Sequence, residues 1–446
     1  MESILPLHKE VEGVLGATGG KAGLDVSTWG VIISFLLASL IFTVFAPTQS
    51  DYNWAMLFLL APLWLPLVVG RFALLRFIQM RRMAFLSEKK FVLLEIRLPR
   101  DTAKTPAAME TVLSNLHLGP GESTWHKKYV VGGVRPWWSL ELVSIEGRVH
   151  FYIWTREDFR RAVEAYMYAQ YANIEIIEAA DYSRLRDAAH PPYKMSAYEY
   201  KHGKPDPYPI RTYVDYHLDK PPGKDEEQVN PLAQVLELLG SAGPGEQIWI
   251  QIMIRTTKNE KWRGKLNKDK KPYSWKDEAK ELVDKTKKSY TDEKTGAANP
   301  TEQQKDLIKC IERNTGKMGF DVGIRAIYSA PIEKHSGSVG GYLSNIFKPF
   351  SSESLNSLEG SGAWSNAFPD YPWANPGGKK EAAIMPEALE LYRRRAYFYP
   401  PYRGNWMIMS TEELATLFHI PPSTVQTPSM PRIQSTTGAA PANLPQ

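Results

Sequence analysis

Two apolar runs near the N-terminus constrain this chain more than any other feature. Thr28 to Pro47 and Trp54 to Gly70 carry no charged residue, and a short polar turn around Asp51 separates them. A bilayer core of about 30 Å needs about 20 helical residues to cross it. The first run, WGVIISFLLASLIFTVFAP, has that length, and the second, WAMLFLLAPLWLPLVVG, is shorter and contains Pro62 and Pro66. Proline is tolerated in membrane helices because neighbouring groups re-satisfy the freed backbone. The runs therefore predict a transmembrane hairpin over 28–75. The alternative is a pair of buried core helices. A cleaved signal peptide fits poorly, because no basic stretch directly precedes the first run and no small-residue cleavage site follows it.

Charge predicts the orientation of that hairpin. Arg71, Arg76, Arg81, Arg82, Lys89 and Lys90 follow the second run, whereas the connecting turn has no Lys or Arg. Positive residues stay on the cytoplasmic side, so a multi-pass protein with two helices and both termini cytoplasmic is expected, with 1–27 as a cytoplasmic segment. The single Cys310 agrees with a compartment that needs no disulfide framework. Lys and Arg close to a bilayer would also meet anionic head groups, which makes the lipid bilayer an expected partner.

Beyond residue 87 the hydrophobic period alternates between two and 3.6. Val92, Leu94, Ile96 and Leu98 share one strand face. Thr105-Pro106 opens a helix with Met109, Val112, Leu113 and Leu116 on one stripe. Strands follow around Trp138–Leu142 and Val149–Ile153, a helix carries Phe159, Val163 and Tyr166, and Ile174–Ile177 closes the set. This order, β-α-β-β-α-β, predicts a ferredoxin-like unit over 87–183. The pattern then restarts. Val214, Tyr216 and Leu218 read as a strand, and Asn230-Pro231 opens a helix with Leu232, Val235, Leu236 and Leu239. Ile248–Ile254 and Phe320–Ala326 read as a strand pair split by an insert. Helical patterns at Trp275–Lys288 and Pro300–Arg313, a helix near Val339–Phe350, a strand at Trp406–Met409 and a Ser410/Glu413 capping box complete the second unit. The fold class expected is α+β: a transmembrane hairpin, then two tandem ferredoxin-like units, 87–183 and 208–420, joined by a Pro-rich linker over 184–207. Residues 351–382 read as a surface loop and 421–446 as a disordered tail.

No motif for catalysis emerges. The chain has no G-x-x-x-x-G-K-[ST], and Gly19-Gly20-Lys21-Ala22 lacks both the leading glycine and the Ser/Thr that would hold Mg²⁺. H-E-x-x-H and G-x-S-x-G are absent, and one cysteine cannot build a Cys-based zinc site. A non-enzymatic protein with no cofactor and no metal is expected. The suggestive soluble feature is the insert, 258–298. Between Lys258 and Lys294 it has thirteen Lys/Arg against eight Asp/Glu, interleaved with Trp262, Tyr273, Trp275 and Tyr290. Basic charge with aromatics engages phosphate and stacks bases. Lys261, Arg263, Lys265, Lys268, Lys270 and Lys271 are therefore candidates for nucleic-acid contact, and Arg81 and Arg82 for nucleic acid or lipid. A solvated helical excursion with i,i+4 ion pairs explains the same composition. Arg393-Arg394-Arg395 carries the same ambiguity.

The segments FVLLEIRLPRDTAKTPAAMETVLSNLH, VHFYIWTREDFRRAVEAYMYAQYANIEIIEAADY, PLAQVLELLGSAGPGEQIWIQIMIR, GFDVGIRAIYSAP and STEELATLFHIP together resemble an uncharacterised bacterial membrane module. In many relatives that module precedes a motor ATPase of the type IV secretion coupling-protein, or FtsK/HerA, kind. The resemblance spans most of 87–446, including the final PANLP, after which fused relatives begin the ATPase. No ATP-hydrolysing residue is carried over, since the chain stops there. The resemblance implies an inner-membrane scaffold or recruitment module for a secretion or DNA-translocation ATPase, encoded separately or lost by truncation. Two other readings stay open: a nucleic-acid-binding component that guides DNA to such a motor, and an enzyme using a cleft between the two units.

Overall fold

The computed structural model describes a few positions between 55 and 74, then 76–99, 104–119, 124–171, 173–185, 193–220, 229–257, 267, 273–290, 299–361, 379–399, 404–421 and 432–433. The described residues fall into two compact units. One draws on Met1–Glu88, Gly121–Val134 and Trp262–Lys265, and the other on Lys89–Pro120, Arg135–Lys261 and Leu266–Gln446. The first unit contributes a helical segment over 76–87 and a π-helical turn at His126–Val130. Its Gly132 has φ +77°, and a Cβ there would lie 2.4 Å from the Arg81 carbonyl, so only glycine fits the approach.

The membrane expectation is corrected here. Among the described residues no helix is long and apolar enough to cross a membrane. The described helical segment 76–87 carries Arg76, Arg81 and Arg82. Most of 28–70 lies outside the described residues. A two-span inner-membrane protein with both termini cytoplasmic therefore does not stand on this structure.

The second unit is built on one large antiparallel sheet. Its strands are β1 (Phe91–Pro99), β2 (Trp138–Ile145), β3 (Arg148–Arg156), β4 (Glu175–Ala179), β5 (Tyr193–His202), β6 (Gln247–Thr256), β7 (Gly319–Pro331), β8 (Leu358–Ser361) and β9 (Met407–Ser410). Their order is β4-β1-β3-β2-β6-β7-β5-β8, with β9 beside the first residues of β7. A two-residue strand β10 (Arg432–Ile433) runs parallel to the end of β1.

Two tandem ferredoxin-like units are therefore not what forms. The order strand, helix, strand, strand does recur along the chain, but the sheet is continuous. β2, expected as an outer strand of the first unit, pairs with β6 from Trp138↔Ile254 to Ile145↔Gln247. Seven of its eight residues are buried. A strand this apolar is an association hazard when left as an edge, and β6 covers it. Leu94, Leu140, Ile250 and Ile324 consequently share one hydrophobic core.

The second expected unit also starts in a different place. Residues 213–219 form turns, not a strand. The strand that opens this half is β5, inside the segment that reads as a linker. It pairs with β7 from Tyr193↔Pro331 to Tyr200↔Ile324. The expected surface loop contains β8, and a helix starts within it at Lys379.

The two faces of the sheet differ. One packs Leu94, Ile96, Leu140, Ile250, Ile252 and Ile324 against helices α1 (Pro106–Leu116), α2 (Arg160–Gln170) and α3 (Pro231–Gly240). Met109, Val112, Leu113 and Leu116 are buried at the spacing their stripe dictates, each such side chain contributing about 1.5–3 kcal/mol. Helices α4 (Trp275–Ser289) and α5 (Glu302–Gly316) form the insert between β6 and β7. Helix α6 (Gly337–Ser344) packs near β5 and β7. The last helices are α7 (Lys379–Arg393) and α8 (Thr411–Leu417). Helix α8 begins with the expected capping box, Ser410 with Glu413.

Candidate functional site

Three polar constellations stand out, the first on the second sheet face. Strand register aligns Glu95, Tyr152, Glu141, Gln251, Arg325 and Glu199 in one row across β1, β3, β2, β6, β7 and β5. Such a row is expensive to bury unless every group is paired. Arg395, just beyond α7, answers Glu141 with two bonds, Nε to Oε1 at 3.0 Å and Nη2 to Oε2 at 3.0 Å. Its Nη1 donates to Asp181 Oδ2 at 2.5 Å. Both the Arg395 and Glu141 side chains are 0% exposed. Glu141 also accepts from Ser139, Gln251 and Tyr182, and Arg325 donates to Gln251 and to the Leu391 and Ala396 carbonyls.

Electrostatics follow from this enclosure. Burial works to lower the Arg395 pKa, yet the adjoining Glu141 carboxylate lifts it well above the ordinary guanidinium value. Burial pushes Asp181 up, but the Arg395 hydrogen bond leaves its carboxyl below the usual range. Burial, with Glu141 nearby, raises Tyr182 and Tyr392 far above ordinary phenols. Arg395 sits at φ +50°, a left-handed conformation that costs a non-glycine residue about 1–2 kcal/mol. This row fastens the 379–399 segment to the sheet, and at its β1 end the partly exposed Glu95 carboxylate pairs with His150 at 2.7 Å.

The helical insert is the second constellation. Thr257 N–H donates to the Gly319 carbonyl at 3.3 Å, so the chain leaves and re-enters the sheet at adjacent points. A short turn would close this hairpin, and the sheet does not need the excursion. Helix α4 starts with a Ser274/Asp277 capping box and α5 with Thr301/Gln304. Ala279, Val283 and Ile311, with Tyr208, Leu307 and Ile308 against them, form a small core of their own. The base is ion-paired. Arg313 meets Asp215 at 2.7 Å and Glu412 at 3.0 Å, and Lys317 meets Glu110 at 2.7 Å and Glu412 at 2.9 Å. Burial works against the Lys317 ammonium, but the Glu110 and Glu412 carboxylates raise its pKa.

The third constellation joins a nucleophile to a base. Ser196 Oγ lies 3.2 Å from His335 Nε2, and burial lowers the His335 pKa. Ser196 is 7% exposed, and no carboxylate among the described residues hydrogen-bonds the ring. A hydroxyl with a base but no orienting carboxylate lacks the third element of an activated serine. Among the described residues no group of three or more His, Cys, Asp or Glu could hold a metal ion.

The sequence-derived candidates fare unevenly. Lys261, Arg263, Lys265, Lys268, Lys270 and Lys271 lie outside the described residues. Arg81 Nε donates to the Val130 carbonyl at 2.7 Å, and Arg82 is buried. Tyr273 and Trp275, expected as stacking aromatics, are each 2% exposed. Tyr273 hydroxyl donates to Glu281, and Trp275 packs against Gly319. Arg395 read as part of a basic surface run and is instead a core residue. His419 is buried, accepts from Asn230 and bonds the Ala415 carbonyl. Sequence reasoning missed Glu141, Gln251 and Arg325, whose only signal is a polar residue inside each of three apolar strands.

No curated protein matches this chain. The family model described as "Domain of unknown function (DUF8128)" matches residues 82–432, far more than half of the sequence. That span takes in the whole antiparallel sheet, the insert and the Glu141–Arg395 clamp, and the chain belongs to the DUF8128 family.

Proposed function

We propose that this protein is a recruitment module, a scaffold and not a catalyst, that serves a translocation ATPase. The observation that carries the reading is the insert. The segment 258–317 leaves a hairpin that a short turn would close, and its described helices share a small core with Tyr208 and are fastened by ion pairs. Long insertions with internal structure in a compact domain are commonly binding elements. The titratable groups most perturbed by the fold support a scaffold, since they are enclosed by internal partners. The identity of the partner rests on the sequence resemblance alone.

A photo-crosslinking residue at Gln303, exposed on α5, tests this in cells expressing the full chain. Recovery of a DNA- or protein-translocating ATPase is the expected result. Recovery of no translocation component overturns the reading, as does nucleotide turnover by the purified chain.

A further inference from the structure

We infer that the sheet row containing Arg156 and Arg255 is a binding site for the phosphate group of a small ligand, a property separate from recruitment of a motor. Strand register places the site. Four residues along from the Glu141 row, Phe91 of β1 lies opposite Arg156 of β3, and Arg255 of β6 lies opposite Asp321 of β7. Trp137 directly precedes β2, which runs between β3 and β6. Residues four apart on a strand share a face. This row therefore lies on the face that carries Glu141, at the end of the sheet where β3 and β6 finish and β7 begins. Arg135 reaches it from the segment before β2. Its Nη2 lies 3.4 Å from Asp321 Oδ2, and its backbone N–H donates to the Tyr399 hydroxyl at 2.8 Å.

Charge does not balance in this row. Arg135, Arg156 and Arg255 are all buried, and the buried carboxylate that pairs with this set is Asp321. Asp321 is committed to Arg255, accepting from Nε at 2.9 Å and from Nη2 at 2.8 Å. The rings of Phe398, Trp406 and Tyr399 stand 4.4, 5.1 and 5.2 Å from the same guanidinium. Arg156 has no such answer. It is 8% exposed, and its Nε is buried without a hydrogen bond. Its guanidinium rests on the Phe159 ring at 4.6 Å, and among the described residues it forms no ion pair. Asp158, two residues on, is taken by Lys89 at 3.3 Å. Arg135 Nε is likewise buried without a hydrogen bond. Burial accordingly lowers the Arg156 pKa. Three guanidinium groups against one carboxylate leave two positive charges unanswered. Buried donors left in this state are the mark of a site that an ion completes.

The class of ligand follows from charge and shape. A phosphate monoester carries about −1.5 to −2 at neutral pH, and its oxygens accept from guanidinium forks. A single carboxylate would leave one of the two charges unmatched. Arg135, Trp137, Trp154, Arg156 and Tyr399 keep 6–8% exposure, whereas the Glu141 and Arg395 side chains of the deeper row keep none. Solvent thus reaches the outer row. Trp137 stands 5.7 Å from Trp154 and 5.9 Å from Tyr399, and rings this close-set select a small ligand.

The experiment is calorimetric titration and thermal unfolding of the full chain with inorganic phosphate at about pH 8, where phosphate is mainly dianionic. Acetate at equal ionic strength is the comparison. Arg156→Gln is set against Arg161→Gln, which removes the same charge from an exposed position of α2. Low-millimolar phosphate is expected to bind the unmodified chain and Arg161→Gln and to raise both unfolding midpoints. Arg156→Gln is expected to lose at least about tenfold affinity. Without phosphate it should melt no lower than the unmodified chain, because it removes a charge that has no partner. The inference is overturned if the unmodified chain binds no phosphate or binds acetate as well. It is also overturned if phosphate raises the Arg156→Gln midpoint equally, the behaviour of an excluded salt. Arg156→Gln melting well below the unmodified chain without phosphate would mark a structural cation and overturn it too.

Discussion

Glu141→Gln should be among the most damaging conservative substitutions in this protein. The side chain keeps its shape, but the charge that answers Arg395 disappears. Arg395 is then left with Asp181 and the Arg393 carbonyl, while the new amide presents either an N–H or a single oxygen to a guanidinium that had two carboxylate oxygens at 3.0 Å. Removing one partner of a buried pair costs about 3–5 kcal/mol, because the other charge stays buried. Arg395→Met should fall at the low end of that range, since Glu141 retains donors from Ser139, Gln251 and Tyr182 at 2.7, 2.9 and 2.8 Å. Glu141→Gln should fall at the high end. The double variant should cost less than the sum of the two by about 2–3 kcal/mol, the non-additivity expected of groups in contact. Urea unfolding of the four proteins, with slope and midpoint fitted separately, measures the cycle. A Glu141→Gln cost below about 1 kcal/mol, or additivity within about 0.5 kcal/mol, would refute the clamp.

Leu113→Ala and Leu236→Ala, both at fully buried helix positions, should each cost about 2–5 kcal/mol in the same assay; a cost below 1 kcal/mol would place either residue outside the core. Burial holds the His419 pKa down at about 4 from an ordinary 6.5. The folded pKa is the lower one, so this term of stability is full above pH 6.5 and is lost as pH falls towards 4, by about 3 kcal/mol in all. His419→Gln should flatten that part of the pH profile, and parallel profiles for the two proteins would contradict the assignment. A fragment ending at Leu185 should aggregate or fail to fold, since it exposes the β2 edge that pairs with β6; a monomeric, cooperatively unfolding fragment on size-exclusion and circular dichroism would show that the halves are independent.

What was legible in the sequence was local. The α1 and α3 stripes, the Ile248–Ile254 face, both insert helices and the Ser410/Glu413 box depend on residues within a few turns of one another, and they stand where their periodicity places them. Strand β5 was hidden because YKMSAYEYKH does not alternate apolar with polar. Its Ser196, Tyr198 and Tyr200 turn to the helix-covered face and its Met195, Ala197 and Glu199 to the polar one. Nearby prolines also make the segment read as a connector. The continuity of the sheet was hidden for a different reason. Nothing in β2 or β6 alone says that each prefers the other, and the pairing joins residues more than a hundred positions apart. Arg395 was misread because its partner Glu141 is 254 residues away, and a lone basic triplet looks like surface.

The polar row gives that long-range pairing its specificity. Apolar alternation alone leaves neighbouring strands several acceptable registers, since a slip by two residues keeps every side chain on its face. Glu95, Tyr152, Glu141, Gln251, Arg325 and Glu199 remove that freedom. Each lies opposite the next across five strand interfaces. A slip of one residue would turn Glu141 into the cluster around Leu140, Ile250 and Ile252. A slip of two would carry it away from Gln251 and from Arg395. Either leaves a buried charge without its partner, at a cost of several kcal/mol. The clamp therefore selects one arrangement of the sheet. The same arrangement brings Thr256 opposite Phe320, which sets the two ends of the insert side by side and fixes where α4 and α5 leave the sheet.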